Sequence, residues 1–124
     1  MSDLPPGYSI SCVHGSWFAV CPGKSPWADL DHASESAAAD TAWLDYATRS
    51  DPAHWRAFRA LCQRHAEIRR DNYGERCSGL GIAAVARALG RDARLVRRWC
   101  AGKTPIDPTA AQLLREIIER ADEK

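Results

Sequence analysis

The chain has 124 residues, 45% hydrophobic and 27% charged, with a formal net charge of +1. That length accommodates one domain, or two very small units sharing a core. No apolar run approaches the roughly 18 residues of a membrane helix, and "MSDLPPGYSI", with an acid and two prolines, lacks the basic start and greasy stretch of a secretion signal, so a cytoplasmic protein that avoids membranes is expected.

In chain order, "GYSISCVHGSWFAVCPG" reads as a β-hairpin. Tyr8, Ile10 and Cys12 alternate with Ser9, Ser11 and Val13, and Trp17, Ala19 and Cys21 alternate with Ser16, Phe18 and Val20. His14-Gly15 stands where a two-residue turn needs positive φ. Two strands alone are marginal in water, so the hairpin must pack on a helix or join another sheet. "CPGKSPWADLDHAS" follows as a loop punctuated by Pro22, Gly23 and Pro26. A first helix is expected from Ser34 to Thr48, with Glu35 favourably placed in its first turn and Ala39, Trp43, Leu44 and Ala47 in one stripe. "SDP" restarts the chain, with Asp51 as N-cap and Pro52 at the first helical position of a second helix running to Arg70. Its apolar face carries Trp55, Phe58, Leu61, Cys62, His65 and Ile68; Arg56, Arg59, Arg64, Arg69 and Arg70 take the other faces. "DNYGERCSG" ends it. Three short helices follow, over Leu80–Leu89, Asp92–Ala101 and Pro108–Arg120. The last has Asp107 as N-cap and Leu113, Leu114, Ile117 and Ile118 on its apolar face. The fold class expected is α+β, mostly α: an N-terminal β-hairpin packed on helices, then a C-terminal helix-turn-helix unit, with residues 1–50 as a dimerisation or partner-binding unit and 51–124 as the helical unit.

Charge is distributed unevenly along this layout. Residues 1–50 carry six acids and two bases, whereas residues 76–103 carry seven bases and one acid. The positive pole suits a polyanion. Ala and Arg are abundant and Lys is scarce, which fits a GC-rich bacterial or phage coding source. The five cysteines, Cys12, Cys21, Cys62, Cys77 and Cys100, are odd in number and include no C-x-x-C pair, so reduced thiols rather than a disulfide framework are expected. Cys12, His14 and Cys21 lack the paired spacing of structural zinc ligands. No metal and no cofactor is expected.

Within "GIAAVARALGRDARLVRRWCAGKTP", two apolar-periodic runs meet at one glycine. Ala86 precedes Gly90 by four residues; Val96 follows it by six and Trp99 by nine. Helices that cross steeply need a small side chain at closest approach, which Ala86 supplies. The corner needs a left-handed residue, which Gly adopts at little cost. Val85, Leu89, Val96 and Trp99 can close the angle with a shared core, and Asp92 can cap the second helix.

From Ile82 to Trp99 this resembles the helix-turn-helix of the lambda-repressor-like DNA-binding family, and "CAGKTPIDPTAAQLLREI" looks like the exit and following helix of small phage and bacterial repressors. The resemblance implies that Asp92–Ala101 is a recognition helix lying in the major groove. One departure is Arg91, since the residue after the turn Gly is often aliphatic in that family. On the recognition helix, Val96 and Trp99 should face the core, and Ala93, Arg94, Arg97, Arg98 and Ala101 the duplex. Arg94 and Arg97 are expected at base edges, where Arg can bridge guanine O6 and N7. Arg98, Arg91 and Lys103 are expected at phosphates.

A motif this small implies a homodimer reading two half-sites of a palindromic operator, and hence a transcriptional regulator, most simply a repressor. The N-terminal half, with Trp17, Phe18, Trp27, Trp43 and Trp55 either in the intrachain core or in a dimer contact, is the candidate dimer contact, and the acidic residues 1–50 are the candidate protein-binding part. Its layout is faintly similar to HicB-like antitoxins. A phage-encoded inhibitor of host defence, of anti-CRISPR type, that autoregulates through its helix-turn-helix is the other alternative. Catalysis is not expected: none of G-x-S-x-G, H-E-x-x-H or a phosphate-cradling Gly loop occurs.

Overall fold

The computed structural model describes residues 4–23, 32–74 and 81–122. The expected loop around Pro26 and Trp27, the first residue of the helix expected at Leu80, Cys77 and both chain ends lie outside them. The architecture is α+β and mostly α, with a two-stranded antiparallel hairpin ahead of five helices among the described residues. The chain divides into two compact units, Met1–Tyr46 and Ala47–Lys124.

In the first unit, β1 (Ser9–Val13) pairs with β2 (Ser16–Val20), with Val13 opposite Ser16 and Ser9 opposite Val20. His14 and Gly15 form the turn at φ 52° and 81°, the left-handed pair that matches the twist of a two-residue hairpin. This register sets Ile10 opposite Ala19 and Cys12 opposite Trp17; Ala19 is buried and Ile10 half-buried, whereas Cys12 is exposed along with Ser11 and Val13, so the alternation expected of β1 shows only at Ile10. Helix α1 (Glu35–Arg49) starts after Ser34, whose Oγ accepts from the Ala37 amide at 3.1 Å. The hairpin packs on this helix: Ala19 and Cys21 meet Ala42, flanked by Leu4 and Tyr8. Small residues on both sides allow the strand close to the helix. The Tyr8 hydroxyl then donates to Asp45 Oδ2 at 2.5 Å, and its ring meets Tyr46 edge-on at 6.2 Å. His32 is tied in twice, exchanging backbone hydrogen bonds with Trp17 at 3.0 and 2.8 Å and placing its Nε2 3.2 Å from Thr41 Oγ1.

In the second unit, α2 is Trp55–Tyr73, starting three residues later than "SDP" suggests. Asp51 does accept from a backbone amide, that of Ala53 at 2.9 Å, but it closes only a turn. The N-cap is His54, extended at φ −67° and ψ 133°, with Nδ1 accepting from the Arg56 amide. The reason is tertiary. The Trp55 ring lies against Gly102, where a β-carbon would come within 3.0–3.2 Å of three ring atoms, and the Arg56 guanidinium lies 4.6 Å from the centre of that ring. Seating Trp55 there sets where the helix begins. Phe58, Leu61, Cys62, His65 and Ile68 are buried along the predicted stripe.

The remaining helices are α3 (Ile82–Leu89), α4 (Ala93–Cys100) and α5 (Pro108–Asp122). Asp107 caps α5 by accepting from the Thr109 amide at 3.0 Å, and Pro108 opens it where a missing N–H costs nothing. On α5 the buried stripe is Ala110, Ala111, Leu114 and Ile118. Leu113, expected with them, is exposed, because the alanines let α5 lie close on a narrower stripe than its leucines and isoleucines suggest. Burying Phe58, Leu61, Val85, Val96, Leu114 and Ile118 stabilises this unit by roughly 1.5–3 kcal/mol for each large side chain.

Two glycines separate conformational from steric cost. Gly90 and Gly102 both have positive φ, 65° and 74°, but a β-carbon on Gly90 meets nothing within 4 Å. Gly90→Ala should therefore lower unfolding free energy by about 1–2 kcal/mol, the penalty of a left-handed non-glycine residue. Gly102→Ala should cost more, because Trp55 must also move. Urea titrations followed by circular dichroism would check the order, and equal losses would contradict it.

Candidate nucleic-acid interface

The corner between α3 and α4 is built by backbone chemistry. Gly90 at φ 65° and ψ 34° turns the chain, with its amide on the Arg87 carbonyl at 3.3 Å and the Arg91 amide on the Ala86 carbonyl at 3.0 Å. These bonds satisfy carbonyls that the end of α3 would otherwise leave open. Asp92 then caps α4, extended at φ −70° and ψ 136°, with Oδ1 accepting from the Arg94 amide at 2.8 Å. Three residues thus separate two eight-residue helices.

Packing sets the roll of α4 about its axis. Val85, Ala86 and Leu89 on α3 and Val96 and Trp99 on α4 are all buried, Val96 at 0% and Trp99 at 2% exposure. Trp99 meets Phe58 of α2 edge-on, with ring centres 5.6 Å apart. Once those side chains face inward, helical spacing leaves Arg94, Arg97, Arg98 and Ala101 outward, and all four are exposed. Ala93, in the first turn, is half-buried. Lys103 is exposed just beyond the helix, its amide bonded to the Arg98 carbonyl at 3.1 Å.

Arg91 stands differently from the others. It is exposed, yet its Nη2 donates to Asp107 Oδ2 at 2.5 Å, so the residue where the chain departs from the repressor-like pattern clamps the turn to the cap of α5. Asp107 serves both ends of this arrangement, with Oδ1 on the Thr109 amide and Oδ2 on Arg91. Asp92, the lone acid of residues 76–103, has a carboxylate oxygen committed to a backbone amide.

Arg59 is the residue the sequence reading passes over as part of a solvated face. An open pocket of about 320 Å³ is lined by Arg59 of α2, Ile82 of α3 and Arg97, Cys100 and Ala101 at the end of α4. It brings two arginines 38 positions apart in sequence to the wall of one pocket. Only the packing of α2 on α4 does this, and no local signal foretells it.

Among the described residues no cluster of three or more His, Cys, Asp or Glu side chains could hold a metal ion, and no helix is long and apolar enough to cross a membrane. The chain matches no protein-family model, no curated protein and no solved structure.

The double role of Asp107 can be dissected. Asp107→Asn keeps an acceptor for the Thr109 amide and loses the charge facing Arg91; at this half-exposed pair the loss should stay below about 1 kcal/mol. Asp107→Ala also removes the cap and should cost about 0.5–2 kcal/mol more. Thermal denaturation of both variants measures the difference. Similar melting temperatures for Asn and Ala would mean that the cap contributes little.

Proposed function

We propose that the protein binds double-stranded DNA through α4, as a homodimer on a palindromic operator, and so regulates transcription, most simply as a repressor. The observation that carries this reading is the three exposed arginines, Arg94, Arg97 and Arg98, on one side of a short helix whose other side is anchored by Val96 and Trp99. Eight residues make a helix of about 12 Å, a length that lies readily in a major groove about 12 Å wide. Three residues separate α3 from α4, and in this reading α3 crosses the phosphate backbone while α4 lies in the groove.

Each cation then has a role. Arg94 and Arg97 read base edges, since a guanidinium can donate twice to guanine O6 and N7. Arg98 and Lys103 hold phosphates, and Arg59 joins them beside Arg97. Arg91 uses one of its donors on Asp107 and keeps others for the backbone. A single helix of this size contacts few base pairs, which is why two copies on half-sites about 34–36 Å apart are part of the proposal.

Fluorescence anisotropy on duplexes from the gene's own upstream region, across a salt series, tests this. Arg94→Ala and Arg97→Ala should each weaken binding to the preferred sequence by about 1–3 kcal/mol and relax its selectivity. Arg98→Ala, Lys103→Ala and Arg59→Ala should weaken all duplexes alike and reduce the slope of log K against log salt by about one each. Binding that is sequence-blind, or unchanged by these substitutions, would refute the proposal.

A further inference from the structure

We propose that Cys62 and Cys100 form an oxidisable dithiol, a modification site at which a hydroperoxide converts the two thiols into a disulfide joining α2 to the last turn of α4. The pair is independent of the DNA-binding reading. Its two sulfurs lie 3.6 Å apart, in hydrogen-bonding contact, although the residues are 38 positions apart in sequence. A disulfide bond of about 2.05 Å needs only a small approach of the two side chains. Buried cysteines commonly do no more than fill space, but such a pair needs neither an opening nor a nearby cation. This one has both.

The opening is the pocket of about 320 Å³ lined by Arg59, Ile82, Arg97, Cys100 and Ala101. Cys100 borders it and Cys62 does not, so an oxidant entering there meets Cys100 first. The two sulfurs also differ in acidity. The hydrogen bond from Cys62 holds the Cys100 thiol below its usual range, against the opposing effect of burial, and the positive charge of Arg59 acts in the same direction. Cys62 is pushed up by the same hydrogen bond, by burial and by the charge on Cys100. Bordering the pocket, and the more acidic of the two, Cys100 is the nucleophile, attacking as its thiolate, and Cys62 is the partner that gives up its proton in the second step.

The chemistry balances in two steps. The Cys100 thiolate attacks one peroxide oxygen and the O–O bond breaks. Cys100 becomes a sulfenic acid, and the other oxygen leaves as hydroxide or alkoxide and takes up a proton. Cys62 sulfur then attacks Cys100 sulfur, the S–O bond breaks, and water departs with the proton of Cys62. Two cysteines are oxidised by two electrons in all, and one hydroperoxide is reduced to an alcohol, or to water if it was hydrogen peroxide.

The test uses the folded wild-type chain, reduced, treated with hydrogen peroxide and quenched with N-ethylmaleimide in denaturant. Trypsin isolates Cys62 in "ALCQR", residues 60–64, and Cys100 in "WCAGK", residues 99–103. The expected product is these two peptides linked, lighter than their sum by two hydrogens, forming at least about tenfold faster than Cys12 is oxidised. Cys62→Ser should stop the link and leave a sulfenic acid on Cys100 that dimedone captures. The proposal is overturned if both peptides stay alkylated while Cys12 is consumed, or if the link forms only once the chain is unfolded. Should Cys62→Ser fail to fold, the wild-type peptide map still decides.

Discussion

The burial of Trp99 against Phe58 is the constraint on which the arrangement of the basic helix depends. A helix of eight residues has little stability of its own, and its roll is free until a large side chain finds a cavity. Trp99 and Val96 supply that anchor. With both inward, the 100° advance per residue dictates that Arg94, Arg97 and Arg98 face outward together. Nothing about the arginines themselves aims them; the indole does.

In the same unit, two acids are committed to helix ends rather than to the basic face. Asp92 and Asp107 each cap a helix with one carboxylate oxygen, and Asp107 uses its other oxygen on Arg91. Carboxylates committed in this way complement helix N-termini and leave the outward face of α4 positive. In the first unit, Asp45 accepts from the Tyr8 hydroxyl. One chain thus carries a hairpin unit knit by small residues and tyrosines, and a helical unit knit by aromatic burial and capped corners.

Cys62 and Cys100 belong to the same contact that seats Trp99, since the residue after the indole also faces α2. Packing tight enough to bury an indole brings the sulfurs within 3.6 Å, while the end of α4 remains open beside Arg59 and Arg97. The corner and the dithiol are consequences of one interface, read at two neighbouring positions.

Much of this was legible beforehand. The His14-Gly15 turn, the two strands, the Gly90 corner, the Asp92 and Asp107 caps and the inward facing of Val96 and Trp99 all rest on local rules: positive φ, strand-forming residues, period 3.6, and the geometry of a free amide. The start of α2 differs from the sequence expectation because Asp51-Pro52 is a good local cap, whereas the helix is capped by His54 with the Trp55 ring against Gly102. Leu113 was misplaced because hydropathy cannot say how wide a buried stripe is. Arg59 beside Arg97, Arg91 on Asp107 and Cys62 against Cys100 were invisible for one shared reason: each joins residues at least 16 positions apart. The sequence alone determined which segments are strands and helices, where most of them turn and which faces are apolar, because those follow from backbone preferences over a few neighbours. Tertiary structure alone decided which charges and thiols meet, because helix packing selects those pairs and periodicity carries no information about it.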